Sequence, residues 1–235
     1  MFVLIHSPLV GALTWQPVAH ELEAEKLAVS VPALQDTEGS DLAYWQQHAT
    51  AVQQALSGVS TDRPLILVGH SGSGPLLPVI RQQLSQPVAA YVFADAGIPR
   101  ANASRLDLLA AEAPEWFESF HEFLKAGGRF PDWRDEDLLE EIPNEKLRAT
   151  LVSEIQPRAL PFWTEPLPVF AGWPDAPCAY LQFSSAYNVP AAYAREQGWP
   201  YRHLPGGHFL PLTDPRSVTQ ALISLLHDLD IELAT

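Results

Sequence analysis

The chain has 235 residues, 47% of them hydrophobic, with 28 acidic residues against 14 basic ones and a formal net charge of −14. This length and apolar content suit one large α/β domain better than two small ones. The acidic excess excludes nucleic acid and anionic membrane surfaces as partners, because neutralising phosphate needs clustered Lys and Arg; a neutral or cationic small molecule fits better. The single cysteine, Cys178, excludes an internal disulfide and reads as a buried thiol. Residues 2–5 are too short for a signal-peptide core, and no run approaches the roughly 18 to 20 apolar residues of a membrane span. The expectation is a cytoplasmic protein, a monomer or a homodimer.

In chain order, short apolar runs at 2–5, 28–31, 65–68, 89–93, 178–183 and 201–204 read as strands. Between them, amphipathic segments at 15–27, 42–56, 75–84, 191–197 and 215–229 read as helices. The alternation predicts an α/β fold with a mostly parallel central sheet flanked by helices. It breaks between Pro99 and Trp173, where some seventy residues separate two strands that a dozen could join. We therefore expect a core of residues 1–98 and 174–235 and a helical cap inserted at 99–173. Within the insertion, Trp116, Phe117, Phe120, Phe123 and Leu124 follow Pro114 at helical spacing and form a broad aromatic stripe. Such a stripe glues a cap to its core, and it can also line an apolar pocket beneath a lid.

Chemistry is concentrated at Gly69-His70-Ser71-Gly72-Ser73, which lies between a predicted strand and a predicted helix. That context gives GxSxG its meaning: Ser71 would sit on a turn so sharp that only small residues fit two places before and after it. Ser73 holds the last place instead of glycine, and Gly74 follows. A phosphate-cradling loop would need GxxxxGK[ST], yet no lysine occurs between Lys26 and Lys125. A serine hydroxyl needs a histidine to take its proton and a carboxylate to hold that histidine's tautomer. His208, in Pro205-Gly206-Gly207-His208-Phe209 between the last strand and the terminal helix, is the candidate base. Neither HExxH nor a Cys/His pair at zinc spacing is present, so we expect no metal and no cofactor.

With His6-Ser7-Pro8 after the first strand, Trp15 following, GHSGSG at the elbow and PGGHF near the end, the chain resembles the α/β-hydrolase fold family over essentially its whole length. Its N-terminal spacing is most similar to small plant-type methylesterases and hydroxynitrile lyases. The resemblance implies a Ser, acid, His order, an acyl-enzyme mechanism, and a cap inserted after the strand that follows the elbow helix. Two departures stand out. The acid usually follows the penultimate strand, but there the chain reads Gln182-Phe183-Ser184-Ser185-Ala186-Tyr187-Asn188, with no carboxylate. A minority of the family, haloalkane dehalogenases included, takes the acid from the end of the strand after the elbow helix, where Asp95 stands. Asp95 is therefore the candidate acid, although a strand-end aspartate often only caps a loop. The alternative is a Ser-His dyad oriented by Ser185 or Asn188. Asp175 and Asp214 read as structural.

The second departure concerns the oxyanion hole. One donor is the amide of Gly72, but the residue after His6-Ser7 is Pro8, which has no N–H to give. Either the Leu9 amide or the Ser7 hydroxyl must supply the other. His6, His70, Trp116, Phe120 and Trp163 are the candidate substrate-contacting side chains. The reading is a serine hydrolase of small apolar carboxylic esters, lactones or thioesters. The alternatives are a cofactor-free lyase using the same Ser and His, and a non-catalytic ligand-binding homologue.

Overall fold

The computed structural model describes residues 1–233. Six strands, β1 (Phe2–Ile5), β2 (Val29–Ser30), β3 (Leu65–Ser71), β4 (Val88–Ala96), β5 (Cys178–Gln182) and β6 (Tyr201–His203), form one parallel sheet in the order β2-β1-β3-β4-β5-β6. The helices are α1 (Gln16–Ala24), α2 (Tyr44–Ala55), α3 (Leu77–Gln83), α4 (Arg105–Glu112), α5 (Pro114–Lys125), α6 (Glu145–Ser153), α7 (Leu160–Thr164), α8 (Asn188–Glu196), α9 (Leu210–Thr213) and α10 (Pro215–Asp228). Every strand and core helix read from the sequence is present, with ends shifted by a few residues. Among the described residues no helix is long and apolar enough to cross a membrane.

The central strands are buried on both faces, which is why they read as unbroken apolar runs rather than alternating ones. Alternate residues still go to opposite sides. Val3, Ile5, Leu65, Leu67, Tyr91 and Phe93 pack with Val52, Leu77, Ile80 and Ala194 from α2, α3 and α8. Phe2, Leu4, Ile66, Val68 and Val92 pack with Val18 and Leu22 of α1 and Leu222 and Leu225 of α10. The Asp214 carboxylate accepts the Ser217 amide at 3.2 Å and so caps α10. Asp175 accepts from Tyr91 Oη and pairs with Arg81. Both aspartates thus serve the scaffold.

Strand order reverses at β1, which pairs with β2 on one side and β3 on the other. The loops leaving β1 and β3 therefore diverge at their carboxyl ends, where open parallel sheets form their ligand crevice. Ser7 and Ser71 stand at the mouths of these two loops.

Helices α4 to α7 all lie between β4 and β5. They bury small clusters of their own. Leu106, Phe120, Leu124, Phe162 and Trp163 pack against Leu9 and Tyr44, and Leu138, Ile142 and Leu151 pack with Val10, Phe209 and Leu212. The α5 stripe is split: Phe120 and Leu124 are buried, while Trp116 and Phe123 are 41% and 39% exposed.

An ion-pair network ties this segment to the sheet. The Arg158 guanidinium meets the Asp36 carboxylate through two bonds of 2.6 Å, and its Nη2 also donates to the Pro8 carbonyl at 3.1 Å. His48 Nε2 lies 2.8 Å from the same carboxylate. Burial alone would raise the Asp36 carboxyl, but hydrogen bonds from His48 and Arg158 outweigh it and draw it down to about 2. A carboxyl lowered on folding adds stability above its unfolded pKa, and that stability is lost as pH falls through the folded value. This contribution should therefore fade between about pH 4 and pH 2. Asp36→Ala leaves a buried guanidinium uncompensated and should cost about 3 to 5 kcal/mol in denaturant unfolding at pH 7. A loss under about 1 kcal/mol would mean that the network carries no such load.

Candidate active site

Ser71 ends β3 with φ at +59°, the left-handed conformation that exposes a side chain on a tight strand-to-helix turn. The neighbouring backbone requires small residues. A Cβ on Gly74 would lie 2.2 Å from the Gly97 carbonyl oxygen, and one on Gly69 would lie 3.2 Å from the Gly74 backbone. Ser73 is more than a tolerated small residue. Its buried hydroxyl is 2.8 Å from the Ile5 carbonyl and 2.9 Å from that of His70, linking the elbow to β1.

Asp95 is placed by a bulge. His70 pairs with Ala94 and Ser71 with Ala96, so Asp95 is the extra residue in β4, with φ at +45°. The bulge turns its side chain toward the end of β5. There Oδ1 accepts the amides of Phe183 and Ser184 at 2.9 and 3.0 Å, and Oδ2 accepts the Ser184 hydroxyl at 2.7 Å and His208 Nδ1 at 2.8 Å. The side chain is fully buried. Burial would raise the carboxyl, but the hydrogen bond and charge of His208, with the Ser184 bonds, hold it below the usual value. Ser184 thus occupies the region where an acid was missing after β5 and supports the Asp95 carboxylate. Asn188 instead accepts from Gln182 at 2.6 Å, and among the described residues Asp95 is the side-chain partner of His208 Nδ1. With its proton on Nδ1, His208 carries its lone pair on Nε2.

The His208 ring is flanked by Tyr187, at 5.2 Å between centroids and 15° between planes, and by His70, at 4.5 Å and 26°. His70 Nε2 lies 3.0 Å from the His208 carbonyl oxygen. Burial pushes His70 down to about 3, so it stays neutral beneath the His208 ring. The Ser71 hydroxyl is 3.0 Å from the Tyr187 hydroxyl. Tyr187 lay unnoticed in the acid-free stretch after β5, because a tyrosine there has no motif to mark it.

On the β1 loop, the Leu9 amide donates to the Ser7 hydroxyl at 3.3 Å, and that oxygen lies 3.2 Å from where a Gly72 Cβ would stand. The Ser7 oxygen therefore accepts from Leu9 and keeps its own proton to donate beside Gly72.

A cavity of about 350 Å³ opens onto Ser71, Gly72 and His208. Its walls include Pro8, Leu9, Leu108, Leu109, Phe130 and Trp133, and the expected Trp116 and Trp163. Three sequence expectations differ. His6 is not on the wall: its Nδ1 meets the Ser7 carbonyl and its Nε2 accepts the Leu34 amide at 3.0 Å, so it clamps the loop, and burial pushes it down to about 4. His70 is wholly buried beneath His208, and Phe120 lies behind the wall, stacked against Trp116 and edge-on to Trp163. Amphipathic spacing marks a face but not which part of it meets a cavity. The wall also holds two charged residues of α4, Arg105 and Glu112. Arg105 packs its guanidinium 4.0 Å from the Phe162 ring, donates to the Phe162 carbonyl and pairs with Glu165 at 3.6 Å. Among the described residues no group of three or more His, Cys, Asp or Glu side chains is placed to hold a metal ion.

Comparison with known proteins gives this arrangement a context. The chain is 28% identical to Methylesterase 8 of Arabidopsis thaliana over 103 residues and 26% identical to Methylesterase 1 over 125 residues, 42% and 48% of this chain. The matches span 38% and 47% of those relatives' own lengths. In fold it is similar to an extracellular alpha/beta-hydrolase from a Paenibacillus species, with a TM-score of 0.75 at 19% identity, covering 95% of this chain and 98% of that one. A pyrethroid hydrolase from Sphingobium faniae JZ-2 aligns with a TM-score of 0.67 at 17% identity, covering 97% and 96%. The family model described as the alpha/beta hydrolase family matches residues 2–221, nearly the whole chain, and the protein belongs to that family.

Proposed function

We propose that the protein is an esterase-like serine hydrolase that cleaves a small, largely apolar carboxylic ester through an acyl-enzyme. The observation that carries this reading is the buried Asp95 carboxylate bonded to His208 Nδ1, with His208 and the elbow serine both facing one apolar cavity. Ser71 Oγ attacks the ester carbonyl while His208 Nε2 takes its proton, and Asp95 stabilises the imidazolium. The hydroxyl of Ser71 rests against Tyr187, so attack requires it to turn to His208; apo contacts of this kind commonly tighten only with substrate. Negative charge on the former carbonyl oxygen is met by the Gly72 amide and the Ser7 hydroxyl, which takes the role that the missing Pro8 N–H cannot fill. His208 then returns the proton to the leaving alkoxide, and water repeats the cycle on the acyl-enzyme.

A fluorophosphonate probe should add stoichiometrically to the native protein, with the adduct on Ser71 in peptide mass spectra. A short-chain p-nitrophenyl ester should leave its acyl group on the same residue in a rapid acid quench. Native protein that neither labels nor turns over a panel of such esters would refute the hydrolase reading. Turnover with no trapped acyl group would favour the lyase.

A further inference from the structure

Glu112 is the one charged group on the cavity wall that the proposed chemistry leaves unexplained. It closes α4, whose residues 105, 108, 109 and 112 all line the cavity, so the helix presents a polar, apolar, apolar, polar stripe about 10 Å long. At one end Arg105 is neutralised by Glu165 and covered by Phe162. At the other, the Glu112 carboxyl lies 3.9 Å from where a Gly97 Cβ would stand, close to Pro75 and the elbow. Among the described residues no hydrogen bond or ion pair reaches it; Arg100 acts on it only as a more distant charge. A half-buried carboxylate without partners in an apolar wall is costly unless a ligand completes it.

The other walls suit one kind of ligand. Trp116, Phe130, Trp133, Phe162, Trp163 and Tyr187 surround the space, and aromatic faces attract a desolvated cation. The formal charge of −14 favours approach of cations to the protein as a whole. We infer that Glu112 is a specificity-determining residue that binds a cationic ammonium group on the substrate, making the protein selective for esters of amino or quaternary ammonium compounds. This rests on the hydrolase reading above and names its substrate class.

Burial raises the Glu112 carboxyl to about 7, opposed by Arg100. The groups facing it are Arg100, the Tyr180 and Tyr187 hydroxyls, whose titration lies well above neutrality, and Arg105 and His208 on the same cavity. As pH rises through this value Glu112 gains charge, so selectivity for a cation should rise from pH 6 to pH 8. Choline butyrate and its uncharged carbon analogue, 3,3-dimethylbutyl butyrate, differ only in that charge. The ratio of their kcat/KM values cancels any pH dependence of the catalytic steps that both esters share. We expect the wild type to favour the choline ester by about tenfold at pH 8 and by only a few-fold at pH 6. Glu112→Gln should abolish the pH dependence and lower the ratio at pH 8 to the small preference that the aromatic walls alone supply. 2-Dimethylaminoethyl butyrate should follow the choline ester if any ammonium is accepted, and the neutral one if the site requires the quaternary group; either keeps Glu112 as the cation site.

A ratio that ignores pH in the wild type, or stays near tenfold at pH 8 in a Glu112→Gln variant with an unchanged melting curve, would overturn the inference. The pH arm needs no variant and stands even if Glu112→Gln fails to fold. Binding of the same two esters to Ser71→Ala, followed by tryptophan fluorescence, tests the site without turnover. Failure of catalysis with a retained cation preference would sink the hydrolase reading alone, and equal binding of both esters would sink the Glu112 assignment alone.

Discussion

Ser71→Ala is expected to lower kcat on activated esters by about a million-fold, leaving only the acceleration due to binding and the oxyanion donors. The size follows from removing the atom that forms the bond, and the nearby Tyr187 hydroxyl has Ser71 itself, not His208, as its side-chain partner among the described residues. Stability should hardly change, because the serine hydroxyl's one side-chain bond is to Tyr187 and the left-handed backbone at Ser71 is equally strained for alanine. Initial rates at high enzyme concentration, with a melting curve as control, measure both. A folded Ser71→Ala protein retaining more than about a thousandth of the native rate would show that another group attacks.

Asp95→Asn should reduce kcat by about 10³ to 10⁴. The geometry makes the reason specific. Oδ1 accepts two backbone amides, from Phe183 and Ser184, and only an oxygen can do so. The side-chain nitrogen of the introduced asparagine is therefore forced into the Oδ2 position, facing His208 Nδ1. Nδ1 must then accept, the proton moves to Nε2, and the atom that should take the serine proton already carries one. KM should change little, because Asp95 is not on the cavity wall. A variant within threefold of the native kcat would remove Asp95 from the mechanism. Its carboxyl is held low in the fold, so the ionised Asp95 with the hydrogen bonds it accepts stabilises the native state at neutral pH, and that contribution is lost as acid protonates it.

Much of this site was legible in the residues. The elbow glycines, Ser71 and His208 follow local rules: a nucleophile on a tight turn needs small neighbours, and a loop after the last strand can hold a base. The strands were legible because a sheet buried on both faces demands continuous apolar runs, and the long interval between β4 and β5 is filled by α4 to α7. Asp95 was legible only as one end of a strand with a carboxylate. Its side chain reaches His208 because a bulge one residue long turns it, and a bulge leaves no pattern in a strand that is apolar throughout. Ser184 and Tyr187 were hidden for a related reason: their roles come from meeting Asp95 and His208, which stand far from them in the chain.

By itself, then, the sequence determined the order of strands and helices and the acidic character of the molecule, and it marked the candidate nucleophile and base, because each depends on residues adjacent in the chain. The tertiary structure decided which face of each element meets the cavity. It turned His6 and His70 from substrate contacts into supports for the loop and for His208, and it made Asp36, His48 and Arg158 one network. It also left Glu112 as a charge without a protein partner among the described residues. Such roles depend on atoms brought together across long loops, where a single register step in β4 changes which side chain reaches the active centre.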